Sequence, residues 1–182
     1  RISMKNQRPI IILGAGKAVS EMLIAIMEMF PVSYPLHAII IIPNNQQKRP
    51  ESQLLIQNRK IRCFFGGHPV PNHNSVEGVK IMIETILHSP PDPVILILLS
   101  GGASSLLAYP VKSISLNDLQ KTNELLLKCG ARIQEINVIR KHLSQIKGGL
   151  FAKILQPFDS CALIISDVVG NDLSTIGSGP TA

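Results

Sequence analysis

The chain has 182 residues, 45% of them hydrophobic, 16% charged and 4% aromatic, with a formal charge of +6. This composition suits one α/β domain with an Ile- and Leu-rich core. The Lys and Arg residues are scattered, with no basic run and no interleaved aromatics, which argues against a nucleic-acid partner and for a small anionic ligand.

No apolar run approaches membrane-spanning length, and residues 1–4 hold no signal-peptide core. The three cysteines, Cys63, Cys129 and Cys161, are far apart, two of them in apolar strand-like runs. They read as buried free thiols in a reducing compartment, not as a disulfide framework.

In chain order, residues 9–13 (PIIIL) predict a strand that runs into Gly14-Ala15-Gly16-Lys17. Ala18, Met22, Ala25, Ile26 and Met29 then mark one face of a helix that ends at Phe30-Pro31. Residues 37–42 (HAIIII) predict a second buried strand, and 43–60 read as a polar loop with one helical turn. Residues 61–65 predict the third strand, followed by Gly66-Gly67-His68-Pro69-Val70-Pro71. Asn74 with Glu77 marks the start of a helix with Val76, Val79, Ile83 and Ile86 on one face.

Residues 94–99 (VILILL) predict a strand buried on both faces. It breaks into Ser100-Gly101-Gly102-Ala103-Ser104-Ser105, with a helix starting near Ser104. Ser115 and Asp118 form a capping box for a helix bearing Leu119, Thr122, Leu126 and Cys129, stopped at Gly130. Ile133, Ile136, Leu143 and Ile146 keep near-helical spacing to Gly148-Gly149, and a short helix follows to Leu155. Residues 161–165 predict the fifth strand, which opens into 166–172.

Strands separated by helix-length stretches predict a Rossmann-like, three-layer αβα fold with a mostly parallel sheet of about five strands, in a single domain. In that topology all strands end on one edge, so four glycine-bearing loops converge there. Gly14 and Gly16 with Lys17, His68, and the turn of Ser100, Gly101, Gly102, Ala103 and Ser104 are the candidate ligand contacts. Lys17 can set an ammonium on phosphate oxygens; a solvated surface lysine is the plain alternative. Asp167 and Asp172 are candidate magnesium ligands, although Asp172 equally suits a turn cap. Arg140 and Lys147 can pair with a carboxylate or phosphate, and His68 reads as a substrate contact or a structural turn residue.

With these residues assembled, the chain resembles the glycerate 2-kinase family, the class with a Rossmann-like N-terminal and a MOFRL-type C-terminal domain. The matching segments are GAGKA (14–18), GGHPVP (66–71), LLSGGASSLL (98–107), INVIRKHLSQIKGG (136–149) and ISDVVGNDLSTIGSGPT (165–181), in family order. The resemblance implies ATP- and magnesium-dependent phosphorylation of D-glycerate to 2-phosphoglycerate, with Lys17 essential and the serine-glycine turn facing the ligand.

The sequence departs from the family pattern at Asn72 and Asn171, where Asp is usual. The second departure leaves Asp167 and Asp172 as the carboxylates. The resemblance further implies an incomplete N-terminal domain lacking its C-terminal partner, with little turnover by these residues alone. It implies a cytoplasmic, or in a eukaryote mitochondrial, location, and leaves a homodimer open.

Two alternatives stand beside the kinase: a non-catalytic module that binds an anionic metabolite or nucleotide, and a nicotinamide-dependent hydroxypyruvate reductase. Against the reductase, Val19 stands where a dinucleotide loop carries its third glycine, and Pro43-Asn44-Asn45 offers no acid for a ribose.

Overall fold

A computed structural model describes residues 8–182; the N-terminal reading of residues 1–4 falls outside them. Five strands form one parallel sheet: β1 (Ile10–Ala15), β2 (Leu36–Pro43), β3 (Ile61–Gly66), β4 (Val94–Leu99) and β5 (Asp159–Ile164), in the order β3-β2-β1-β4-β5. Among the described residues the α-helices are α1 (Val19–Glu28), α2 (Pro50–Gln57), α3 (His73–Leu87), α4 (Ala103–Leu106), α5 (Leu116–Lys128), α6 (Ile133–His142) and α7 (Leu150–Leu155).

The sheet separates two apolar cores by simple alternation along its strands. Ile11, Leu13, Ile39, Ile41, Ile95 and Ile97 face one way, against Val79, Met82 and Ile86 of α3 and Phe151 and Leu155 of α7. Ile12, Ala38, Ile40, Ile42 and Leu98 face the other way, against Val19, Leu23 and Ile26 of α1 and Leu55 of α2. Burial on both faces is why these strands read as unbroken apolar runs. The three-layer parallel architecture is therefore the one the alternation of strands and helices predicts.

Register places the loops. Ala15 pairs with Ile41 on one side and Leu99 on the other, and Leu99 pairs with Ile164. The carboxyl ends of β1, β4 and β5 thus finish level, with the chain order reversing between β1 and β4. Open α/β sheets bind ligands at that kind of switch point.

Several local expectations shift. The 43–60 stretch holds a full helix, α2, started by Pro50 in its first turn and anchored by buried Ser52 and Leu55. The cap of α3 is Asn72, two residues before the expected Asn74. Its side chain accepts from the Ser75 amide at 3.0 Å, while Ser75 Oγ accepts from the Asn72 amide. Serine thus fills the third-position role that the Glu77 reading assigned elsewhere.

α6 ends at His142, so Leu143 and Ile146 lie in the following loop, whose Pro110–Ser144 bridge and Gln145 amide bond to Tyr109 carbonyl replace helical bonding. The side chain of Ile133 falls outside the described set. The Ser115–Asp118 box and the Gly130 stop (φ 71°) stand as expected.

The cysteines are free, but only Cys63 is even half-buried; Cys129 and Cys161 are exposed. Cys161 lies on β5, whose burial pattern is that of an edge strand. Among the described residues no helix is long and apolar enough to cross a membrane.

Candidate active site

The loop after β1 is pinned on both sides. The Lys17 amide donates to the Gly101 carbonyl at 2.9 Å, and buried Gln46 donates from Nε2 to the Lys17 carbonyl at 2.9 Å. Ser100, 2% exposed, accepts the Ala18 amide on its hydroxyl at 3.0 Å. The backbone of Gly16 runs so close that a Cβ there, at φ 148°, would overlap Ser100. Two loops from neighbouring strands are thereby tied into one rigid ledge, while the Lys17 side chain stays exposed.

The turn after β4 gathers the charged groups. A Cβ on Gly102 would lie 2.8 Å from His68 Cδ2 and 3.5 Å from Lys17 Cε; one on Gly101 would meet the Asp167 carboxylate. Lys17, His68 and Asp167, from the loops after β1, β3 and β5, therefore close on the two glycines of the loop after β4. Absence of side chains at 101 and 102 is what lets them approach. At φ 90°, Gly102 also holds a left-handed conformation that a larger residue adopts only with strain. No hydrogen bond among the described residues uses the amides of Gly101, Gly102 or Ser104, which leaves these backbone donors free for a ligand.

His68 is half-buried. Burial first, then the positive charge of Lys17, pushes its imidazole below the ordinary value; its own backbone bond and Asp167 pull weakly the other way. The ring is thus held largely as a neutral base near pH 7.

Arg140 and Lys147 are placed apart from this rim. They line a cleft with Pro71, Ser104, Asn123 and Ser144. Lys147 is 5% exposed and its ammonium donates to the Leu107 carbonyl. Arg140 donates from Nε to Asn123 Oδ1 at 2.9 Å. Ser178, fully buried, donates to Asn137 Oδ1 at 3.0 Å and lies 3.1 Å from Ser104 Oγ, fastening the C-terminal turn to α4 and α6.

Other candidates have plainer roles. Gly14 and Ala103 are buried, and a Cβ on Gly14 would strike Val19; Gly14, Ala103 and Ser100 build the ledge more than they face a ligand. Asp172 is engaged in its own turn, accepting from the Ser174 amide and hydroxyl at 2.9 Å and from the Thr175 hydroxyl at 2.7 Å. Those bonds hold its carboxyl below the usual range, and Lys141 is the charge acting on it. Among the described residues no three His, Cys, Asp or Glu side chains cluster as metal ligands, and Asp167 is the candidate carboxylate that stands at the paired glycines.

Sequence reasoning missed Gln46, Asn123, Asn137 and Ser178. The first three look like ordinary surface amides in sequence. Ser178 had one available signal, its place between two glycines in a run that must turn tightly.

Comparison with known proteins places the chain in a family and matches its fold. The family described as Domain of unknown function (DUF4147) matches residues 1–182. A glycerate 2-kinase of Pyrococcus horikoshii is 38% identical over 170 residues, covering 93% of this chain and 36% of that protein. A protein of Agrobacterium vitis that carries a provisional hydroxypyruvate reductase name is 36% identical over 171 residues, covering 94% of this chain and 42% of its own length. A crystal structure of glycerate kinase from Thermotoga maritima superposes with a TM-score of 0.82 at 35% identity, covering 97% of this chain and 41% of that one. The chain spans less than half the length of each.

Proposed function

Because the chain belongs to the DUF4147 family and superposes on a glycerate kinase, we propose that it supplies the phosphoryl-transfer rim of an enzyme that phosphorylates D-glycerate at the 2-hydroxyl from ATP. The observation that carries this reading is the convergence of Lys17, His68 and Asp167 on the Gly101-Gly102 turn. Phosphoryl transfer asks a protein mainly for positioning and for charge at the phosphates. Lys17 and the free amides of the turn supply that charge.

In the proposed step the 2-hydroxyl oxygen of glycerate bonds to the γ-phosphorus and the bond from that phosphorus to the β-bridging oxygen breaks, releasing ADP. The hydroxyl proton passes to the neutral imidazole of His68 and then to solvent. Magnesium, when bound, would neutralise phosphate charge. Asp167 is the residue that would hold it, and one carboxylate with phosphate oxygens and water is an ordinary magnesium set. Completion of the site by the further length that the relatives possess belongs to the same proposal.

The Agrobacterium vitis name favours a reductase as the second reading. Against it, Val19 is fully buried against Gly14, at the position where a dinucleotide loop carries a glycine for close helix–strand packing. Two assays on the protein that carries this chain separate them. ADP formation that requires D-glycerate supports the kinase; oxidation of NADH by hydroxypyruvate, without such ADP formation, overturns it.

A further inference from the structure

The cleft holding Lys147 and Arg140 is electrostatically unfinished. An ammonium has three donors, and Lys147 uses one, on the Leu107 carbonyl. Arg140, half-buried beside it, bonds only the neutral Asn123. Neither cation has an ion-pair partner among the described residues, and the cleft lining contains no acid. Two cations, one of them buried, with no counter-charge are costly unless an anion completes them.

The cleft has a volume of about 20 Å³, room for one oxygen-sized atom. Ser104, Pro110 and Arg140 of its lining are half-buried. That volume excludes a triphosphate and admits one oxygen of a carboxylate. Ser104 belongs to the same turn as Gly102, and Pro71 to the same loop as His68, so the cleft and the rim share two loops.

We propose that this cleft is the subsite that seats the carboxylate of the hydroxy-acid acceptor, with Lys147 and Arg140 as its counter-charges. The proposal rests on the kinase reading for the identity of the acid. Burial, then Arg140, lowers the Lys147 ammonium to about 7. Arg140 is the charged group that faces it from α6; Tyr109, Ser104, Asn123 and Ser144 complete the lining without charge. A bound carboxylate favours the protonated amine, so binding draws in a proton and tightens as pH falls from 8 to 6.

Calorimetry of D-glycerate and of glycerol, in buffers of different ionisation heat at pH 7.5, tests this on the wild-type protein that carries this chain and on its Lys147→Met variant. D-glycerate binds with proton uptake and glycerol does not bind. Lys147→Met abolishes the uptake and weakens D-glycerate by about 10- to 100-fold, with ATP affinity unchanged. Arg140→Gln, at a half-buried position, provides the same weakening if Lys147→Met does not fold. D-glycerate binding without proton uptake, or with wild-type affinity in both variants, overturns the subsite. Lys147-dependent proton uptake with D-lactate, in a protein that forms no ADP with D-glycerate, upholds the subsite and removes the kinase reading instead.

Discussion

The rim and the cleft stand either side of one turn, yet they hold their charges in opposite ways. Lys17 and Asp167 are exposed on the rim, with His68 half-buried between them, and opposite charges balance there. In the cleft, Lys147 is buried with Arg140 and no acid. An exposed, balanced set costs the fold little and leaves its groups available for chemistry. A buried, unbalanced set spends stability to stay ready for a ligand. Changes on the rim are therefore expected to alter turnover with little effect on folding, and changes in the cleft to alter both.

The largest expected joint effect on turnover and stability comes from breaking the turn that separates the two regions. Gly102→Ala places a Cβ 2.8 Å from His68 Cδ2 at φ 90°. Turnover is expected to fall about 100-fold through displacement of His68 and Lys17, with about 1–3 kcal/mol of stability lost in urea unfolding. Gly130→Ala, at φ 71° with nothing within 4 Å, is expected to lose stability alone. Equal losses of turnover in the two variants would dissolve the distinction between rim and scaffold.

Next in size is His68→Asn, expected to lower kcat about 100-fold. The wild-type kcat/KM should fall toward acid with an apparent pKa below 6.5, because the lowered imidazole must be neutral to accept the proton. The variant should lose that acid limb.

The cleft is probed by stability against pH. The folded pKa of Lys147 is below the ordinary 10.5, so between about 7 and 10.5 the unfolded chain binds more protons and stability rises with pH. The slope from this one group is at most about 1.4 kcal/mol per pH unit. Lys147→Met is expected to flatten that rise and to leave stability at pH 7 equal or higher, since an apolar side chain suits the site better than an unpaired ammonium. Urea unfolding at a series of pH values reads this directly. The smallest effect is expected at Asp172→Asn, where kinetics and magnesium dependence should be unchanged because that carboxylate serves its own turn.

The sheet and the rim were legible in the sequence for a physical reason. Strands buried on both faces leave continuous apolar runs, and a parallel topology delivers their carboxyl ends to one edge, so Lys17, His68, the paired glycines and Asp167 could be gathered before any coordinates. The cleft was not legible in the same way. Lys147 follows Arg140, Lys141 and His142 in a segment that reads as a solvated face, and only the packing of 143–147 against Tyr109 and Pro110 turns it inward. α2 was missed because little apolar surface, chiefly Leu55, anchors it. The α3 cap was misplaced because Asn72 and Asn74 compete for one role, and the bonds to Ser75 decide between them.

The central claim is that Lys17 acts on the phosphates from a ledge that does not need its side chain to fold. It is tested most directly by measuring D-glycerate-dependent ADP formation beside thermal unfolding for Lys17→Ala. The account predicts a fall in kcat of about 100- to 1,000-fold with the melting temperature within about 2 °C of wild type. Wild-type kcat in that variant would contradict it, and so would a loss of turnover explained entirely by unfolding.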